Sequence, residues 1–253
     1  MPWNPEQYHR FQAERSAPFD DLLKLVQVRS ALRVVDLGCG TGELTQRLAN
    51  QLPASQVTGL DSSPQMLEKA AQYTRPGLHF ESGDQARLAG EWDLIFSNAA
   101  LQWSEDHPTL LPHIFARLAP GGQLAVQVPS NHDHISHRLI LETACEEPFR
   151  TMLGGFTRIS PVLSIEEYAH LFFELGAENI LVFQKVYPHV LANADAVLDW
   201  ISGTALVPYF ERLGDGKQAF MDTMLTRMRT ALPGSPVFYP FKRTFISVHR
   251  PGA

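Results

Sequence analysis

The chain has 253 residues, 44% of them hydrophobic and 19% charged, and a chain of that length buries roughly three quarters of the surface its unfolded form exposes, so no disulfide or metal staple is required. Lys and Arg total 21 against 27 Asp and Glu, a net charge of −6 that argues against a non-specific nucleic-acid binder. Two cysteines, Cys39 and Cys145, suit a reducing compartment; with no run of ~18–20 apolar residues and no signal-peptide pattern at the N-terminus, the expectation is a cytoplasmic protein.

Residues 3–30 read as helical. Tyr8, Phe11 and Arg15 recur at i, i+3 and i+7, one helix face, and Pro18 reads as the start of a second helix. Arg33–Leu37 is a short β-type run that ends in Gly38-Cys39-Gly40-Thr41-Gly42, followed by a helix over Glu43–Gln51. Gln56–Asp61 is the second strand, Pro64–Tyr73 the second helix of the repeat, and Leu78–Glu81 the third strand. Trp92–Ser97 is the fourth. His107–Leu118 reads as a helix that stops at the breaker cluster Pro120-Gly121-Gly122, and Gln123–Val128 as the fifth strand. Strands alternating with helices of about ten residues specify βαβ units and a parallel sheet. Residues 131–176 then read mostly helical, Ile180–Val190 as a strand, 193–204 and 215–231 as helices, and Arg243–His249 as a last strand. The expected organisation is one domain over 1–253: an α/β core at about 31–129, an N-terminal helical lid at 1–30, and helical cap insertions at about 131–176 and 193–232.

In an open α/β sheet the ligand crevice lies beyond the C-terminal ends of the strands, where glycines let the backbone approach the ligand. The spacing Gly38-x-Gly40-x-Gly42 is not the dinucleotide G-x-G-x-x-G, because Glu43 stands where a third glycine would be needed for helix–sheet contact. Asp61 ends the next strand, where a carboxylate accepts both hydrogen bonds of a ribose diol. Asp84 follows the third strand, where it receives an adenine amino group. Ordinary polar caps on βα loops are the alternative reading of each residue taken alone. Asn131-His132-Asp133-His134-Ile135-Ser136-His137 holds three His and one Asp in no ligand spacing, so no metal is expected there. Cys39 reads as a small space-filler within the glycine loop.

These residues carry a resemblance. Val34–Gly42 resembles the first motif of class I S-adenosylmethionine-dependent methyltransferases, and Gly59-Leu60-Asp61 their acidic second motif. Asp93-Leu94-Ile95-Phe96-Ser97-Asn98-Ala99 resembles the fourth, and Leu118-Ala119-Pro120-Gly121-Gly122 the turn before strand five. The resemblance implies a Rossmann-like α/β sheet of seven strands with the last antiparallel, and S-adenosylmethionine as cofactor. It places that cofactor against Asp36, Gly38 and Gly40, then Asp61, Ser62 and Met66, then Asp84 and Gln85, and finally Asn98 and Ala99. Adenine amino-methyltransferases usually carry Pro-Pro-aromatic where this chain has Ser97-Asn98-Ala99-Ala100, which again speaks against nucleic acid.

Outside the cofactor motifs the chain is similar to trans-aconitate 2-methyltransferases. The matching segments are Trp3-Asn4-Pro5 with Tyr8, Phe11, Glu14-Arg15 and Pro18; Gly59-Leu60-Asp61-Ser62-Ser63-Pro64-Gln65-Met66; Ser97-Asn98-Ala99-Ala100-Leu101-Gln102-Trp103; Leu124–Pro129 with Asn131; Asp199-Trp200-Ile201; and Arg243 with Phe245-Ile246. The implied activity is esterification of one carboxylate of a small di- or tricarboxylic acid; a monomer is the separate expectation for the assembly. A carboxyl of reference pKa about 4 is ionised at neutral pH, so no side-chain base is expected, only positioning. Arg is chosen over Lys 16 to 5 in this sequence, and Arg forms the better fork for carboxylates. Arg15 and Arg243 are the first choices for holding the acid, Tyr187 and His189 weaker ones, and Tyr8 and Trp103 the aromatic wall, with an ion pair or a core position as the structural alternative for each. The competing functions are methylation of another small acid or of a carrier-bound malonyl group, and a non-catalytic S-adenosylmethionine-binding regulator.

Overall fold

The computed structural model describes residues 12–252, with side chains from residue 16 onward. Tyr8 lies outside the described residues, as do Trp3 and Phe11, and of Arg15 the backbone alone is described. Two compact units divide the described residues: a sheet unit of residues 15–129, 161–185 and 243–252, and a helical unit of residues 12–14, 130–160 and 186–242.

The sheet unit grows from the βαβ rhythm of the sequence. Strands β1 (Arg33–Leu37), β2 (Gln56–Asp61), β3 (Leu78–Ser82), β4 (Trp92–Asn98) and β5 (Leu118–Pro129) are joined by β6 (Glu178–Leu191) and β7 (Val237–His249) in the order β3-β2-β1-β4-β5-β7-β6. Strands β1 to β5 are mutually parallel, whereas β7 runs antiparallel to β5, with Gln123 opposite His249 and Pro129 opposite Arg243. One face of the sheet packs Val35, Leu37, Ile95, Leu124, Val126, Val128, Ile246 and Val248 against Leu110, Ile114, Tyr168 and Phe172 of two helices, α4 (His107–Phe115) and α7 (Ile165–Glu174). Burial of that apolar face, at about 25 cal/mol per Å², holds the unit together.

The opposite face receives α1 (Gln12–Leu23). The Phe19 ring meets Phe96 edge-on, with centroids 5.7 Å apart. Pro18 does not open a helix but lies inside α1; a mid-helix proline removes one backbone hydrogen bond, and the full burial of Phe19 and Leu22 offsets that loss. Pro120-Gly121-Gly122 likewise lies within β5 rather than ahead of it. The ladder jumps from Trp92 opposite Leu118 to Leu94 opposite Gln123, so the cluster forms a bulge in the strand.

Helices dominate the second unit: α5 (Ile135–Cys145), α6 (Phe149–Met152), α8 (Ala194–Ser202), α9 (Val207–Leu213) and α10 (Lys217–Ala231). Its core is aromatic, with His189, Trp200, Tyr239 and Phe241 packed on one another. His134 caps α5 by accepting from Ser136 N, meets the Tyr239 ring edge-on with centroids 4.6 Å apart, and follows Asp133, which pairs with Lys242 at 2.6 Å. Among the described residues no helix is long and apolar enough to cross a membrane, and no group of His, Cys, Asp and Glu is placed to hold a metal ion.

Candidate active site

The loop after β1 is built by hydrogen bonds to the end of β2. Gly38 N and Cys39 N donate to Leu60 O at 2.8 and 3.1 Å, and Gly40 N donates to Asp61 Oδ2 at 2.9 Å. The other carboxylate oxygen, Oδ1, accepts from Ser63 N at 2.8 Å. Asp61 therefore clamps the glycine loop to its own turn with one lone pair of each oxygen, and keeps acceptor capacity for a ligand. Gly38 has φ +73° and a Cβ there would stand 2.2 Å from Ala100 Cβ, so only glycine fits. Gly40, with φ +55°, would meet nothing within 4 Å: its Cα faces open space.

Asp36 lies beneath this loop. Its carboxyl is buried and accepts from Thr45 Oγ1 at 2.6 Å, Thr45 coming from α2 (Glu43–Gln51). Burial pushes its pKa up to about 7; the Thr45 hydrogen bond opposes the shift and the charge of Asp61 adds to it. Burial also pushes the Cys39 thiol well above the usual thiol range, which leaves it a packing residue and not a nucleophile.

Ser62 is exposed beyond β2, and Met66 is half-buried in α3 (Pro64–Ala70), a helix capped by Ser63. Asp84 is exposed and accepts from Ala86 N at 2.9 Å, which caps the short turn Gln85–Arg87. Gln85 donates its amide to Ser104 Oγ, joining the loops that follow β3 and β4. Asn98 ends β4, and Ala99 beyond it has φ +54° and donates its N–H to Gln127 O at 2.9 Å. The next turn, Leu101–Trp103, is held from below by His107, whose Nε2 lies 2.9 Å from Leu101 O and Nδ1 2.6 Å from Tyr168 Oη. A carbonyl can only accept, so Nε2 carries the proton and Nδ1 accepts from the tyrosine. Burial lowers the pKa of His107, consistent with a neutral ring that props the turn.

The expected substrate residues divide between the units. Trp103, 50% exposed, stands on the turn after β4, and Arg243 lies in β7 opposite Pro129 at the C-terminal end of β5 with only 6% of its surface exposed. Leu25 O and Gln27 N meet Gln123 near the start of β5, while Phe19 meets Phe96 towards the end of β4. Traced back towards its N-terminus, α1 thus runs to the C-terminal end of the strands, and the Arg15 backbone lies a further turn along, about 6 Å beyond Phe19. Tyr187 and His189 are buried in the helical unit. Sequence reasoning missed Thr45, His107, Tyr168 and Gln127, whose parts depend on long-range partners; the strand-end position of Gln127 was the one available signal.

The arrangement suits a cationic adenosyl ligand. Among the described residues, the space over Gly40 admits close approach of the backbone, a buried acid lies under the loop, and Asn98 Oδ1 is a buried acceptor with no hydrogen-bond partner. A family model described as a methyltransferase domain matches residues 8–182. The fold is that of the YcgJ protein from Bacillus subtilis (TM-score 0.62, 15% identity, covering 94% of this chain and 100% of that one). It is also that of phosphoethanolamine N-methyltransferase 2 from Haemonchus contortus in complex with S-adenosyl-L-methionine (TM-score 0.57, 17% identity, covering 93% of this chain and 52% of that one). Sheet order, glycine loop and acidic strand ends define a class I S-adenosylmethionine-dependent methyltransferase. The chain is 51% identical over 259 residues to a trans-aconitate 2-methyltransferase of Deinococcus radiodurans, covering 99% of both chains. It is 37% identical over 260 residues to one of Mycobacterium tuberculosis, covering 99% of this chain and 98% of that one. The chain belongs to the trans-aconitate 2-methyltransferase family.

Proposed function

We propose that the protein methylates one carboxylate of a small di- or tricarboxylic acid, with trans-aconitate, the substrate in its relatives' name, as the first choice. The observation that carries this reading is the 51% identity to a trans-aconitate 2-methyltransferase over 99% of both chains; Arg243, placed at the C-terminal end of β5, is the residue type that forks a carboxylate. S-adenosylmethionine, when bound, supplies an electrophilic methyl group. Asp36, Gly38, Gly40, Asp61 and Asn98 would hold it, with Ser62, Met66, Asp84, Gln85 and Ala99 around them. The acid is already ionised near neutral pH, so no side chain has to remove a proton. What the chain supplies is alignment of the carboxylate with the methyl group and exclusion of water from it. Arg243 and Arg15 would clamp the acid and Trp103 would wall it; Tyr8, Tyr187 and His189 stay on the sequence argument alone.

The same reading keeps 1–30 as the lid and 131–176 and 193–232 as cap insertions, except that α7 (Ile165–Glu174) packs in the core of the sheet unit, and takes the enzyme as a cytoplasmic monomer acting on a free small molecule. Free thiols at both cysteines support the compartment. The test is transfer of labelled methyl from S-adenosylmethionine to a panel of free di- and tricarboxylic acids. A base-labile methyl ester, formed best from trans-aconitate, is the expected product; an enzyme that binds the cofactor and methylates none of the acids refutes the reading.

A further inference from the structure

Strand β5 carries two glutamines on one face of the sheet, four residues apart, and their amides are treated differently. Gln123 Nε2 donates to Leu25 O at 2.8 Å and Ser247 Oγ at 3.0 Å, and its Oε1 accepts from Gln27 N at 2.9 Å. Gln127 is 0% exposed, yet among the described residues neither Nε2 nor Oε1 has a hydrogen-bond partner. Beside it in the β4–β5 register stands Asn98, with its own buried, unpartnered Oδ1. On the other flank Phe245 pairs with Gln127 and stacks on Phe183 at 5.0 Å. A buried amide stripped of water and given no partner is destabilising, and a leucine or methionine would fill the same space without that cost.

Its position indicates what it serves. The glycine loop, Asp61 and Asp84 belong to β1, β2 and β3, on one side of β4, whereas Gln127 lies on the other side, towards β7. Strand alternation puts Gln127 and Pro129 on one face, and Pro129 pairs with Arg243. Gln127 and Arg243 are therefore diagonal neighbours, about 7–8 Å apart along the face and within reach of one small polyacid. We propose that Gln127 is a substrate-binding residue whose Nε2–H donates to a carboxylate of the acid, next to the carboxylate held by Arg243. The amide orients an anion without adding a charge. This role deepens the carboxylate-methyltransferase reading and rests on it.

The test uses the full-length protein with Gln127→Leu, Gln127→Met and Gln127→Glu, read by melting temperature, calorimetry of cofactor binding, and kinetics with trans-aconitate. Leu and Met should melt at or above the wild-type temperature and bind S-adenosylmethionine unchanged. They should raise KM for the acid about tenfold or more while kcat moves less than about threefold, the mark of a contact made alike in ground and transition state. Glu should raise KM further by like-charge repulsion. Folded variants with wild-type KM would overturn the role of Gln127 and leave the substrate reading intact. A loss of cofactor affinity that accounts for the KM change would reassign the amide to the cofactor and overturn it equally. A wild type that methylates no acid overturns the substrate reading, and this role with it.

Discussion

The two ends of the central sheet handle buried polar groups differently. At the end where the parallel strands begin, polar atoms are tied to one another. Gln123 makes three hydrogen bonds, Leu32 N donates to Ser55 Oγ at 3.0 Å, and Arg250 reaches Leu118 O. His249 and Arg117 Nε are the exceptions there. Where the strands end, Gln127 and Asn98 Oδ1 are buried without partners, Asp36 is an acid displaced from its ordinary pKa, and Gly40 faces open space. One end is organised for stability. The other keeps polar groups uncommitted, a configuration that makes sense where a ligand completes them.

The sharpest probe lies inside the glycine loop, where two neighbouring glycines separate folding from binding. Gly38→Ala places a Cβ 2.2 Å from Ala100 at φ +73° and should cost about 3–5 kcal/mol of stability through overpacking and left-handed strain. Gly40→Ala meets no atom of the described residues within 4 Å, so it should lose only about 1–2 kcal/mol from the backbone while cofactor affinity collapses. Urea titration and calorimetry on the pair read both effects; equal losses of stability would dissolve the distinction.

Next in size is the contrast between the glutamines. Gln123→Leu strands Gln27 N–H and Leu25 O, and should lower unfolding free energy by about 2–4 kcal/mol, whereas Gln127→Leu should not lower it at all. If both destabilise equally, the two ends of the sheet are not organised differently.

The smallest effect concerns Asp36. Its folded pKa, about 7, is above the ordinary 3.8, so the folded state binds this proton more tightly than the unfolded chain does. The stability it lends the ligand-free protein is full below the ordinary value and is lost as pH rises through about 7. Affinity for the positively charged cofactor should move the opposite way and rise about tenfold from pH 6 to 8 as the carboxyl ionises. Calorimetry across that range checks it, and Asp36→Asn should flatten the curve; a slope that survives the substitution assigns the titration to another group.

Much of the cofactor half was legible in the residues because its signals are local. A β-run ending in Gly38-Cys39-Gly40-Thr41-Gly42, an acid closing β2 and another just past β3 stay within single βα units. Asp61 was legible as an acceptor but not as the clamp on Gly40 N, since that bond joins residues 21 apart. Pro18 and Pro120 read as breaks because proline penalises regular structure locally; packing of Phe19 on Phe96 and a bulge in β5 override both. The pairing of His107 with Tyr168 bridges 61 residues and leaves no pattern in either segment.

By itself the sequence determined the order of strands and helices, the place of the glycine loop and the family, because periodicity and motif spacing act over tens of residues or fewer. Only the tertiary structure decided which buried polar atoms find partners. Gln123 and Gln127 are the same residue on the same face of the same strand. What separates them is Leu25, just past α1, and Ser247 at one end, brought from 98 and 124 residues away, and no partner among the described residues at the other. Satisfaction of a hydrogen bond depends on what the fold brings within about 3 Å, a distance that no stretch of sequence encodes locally.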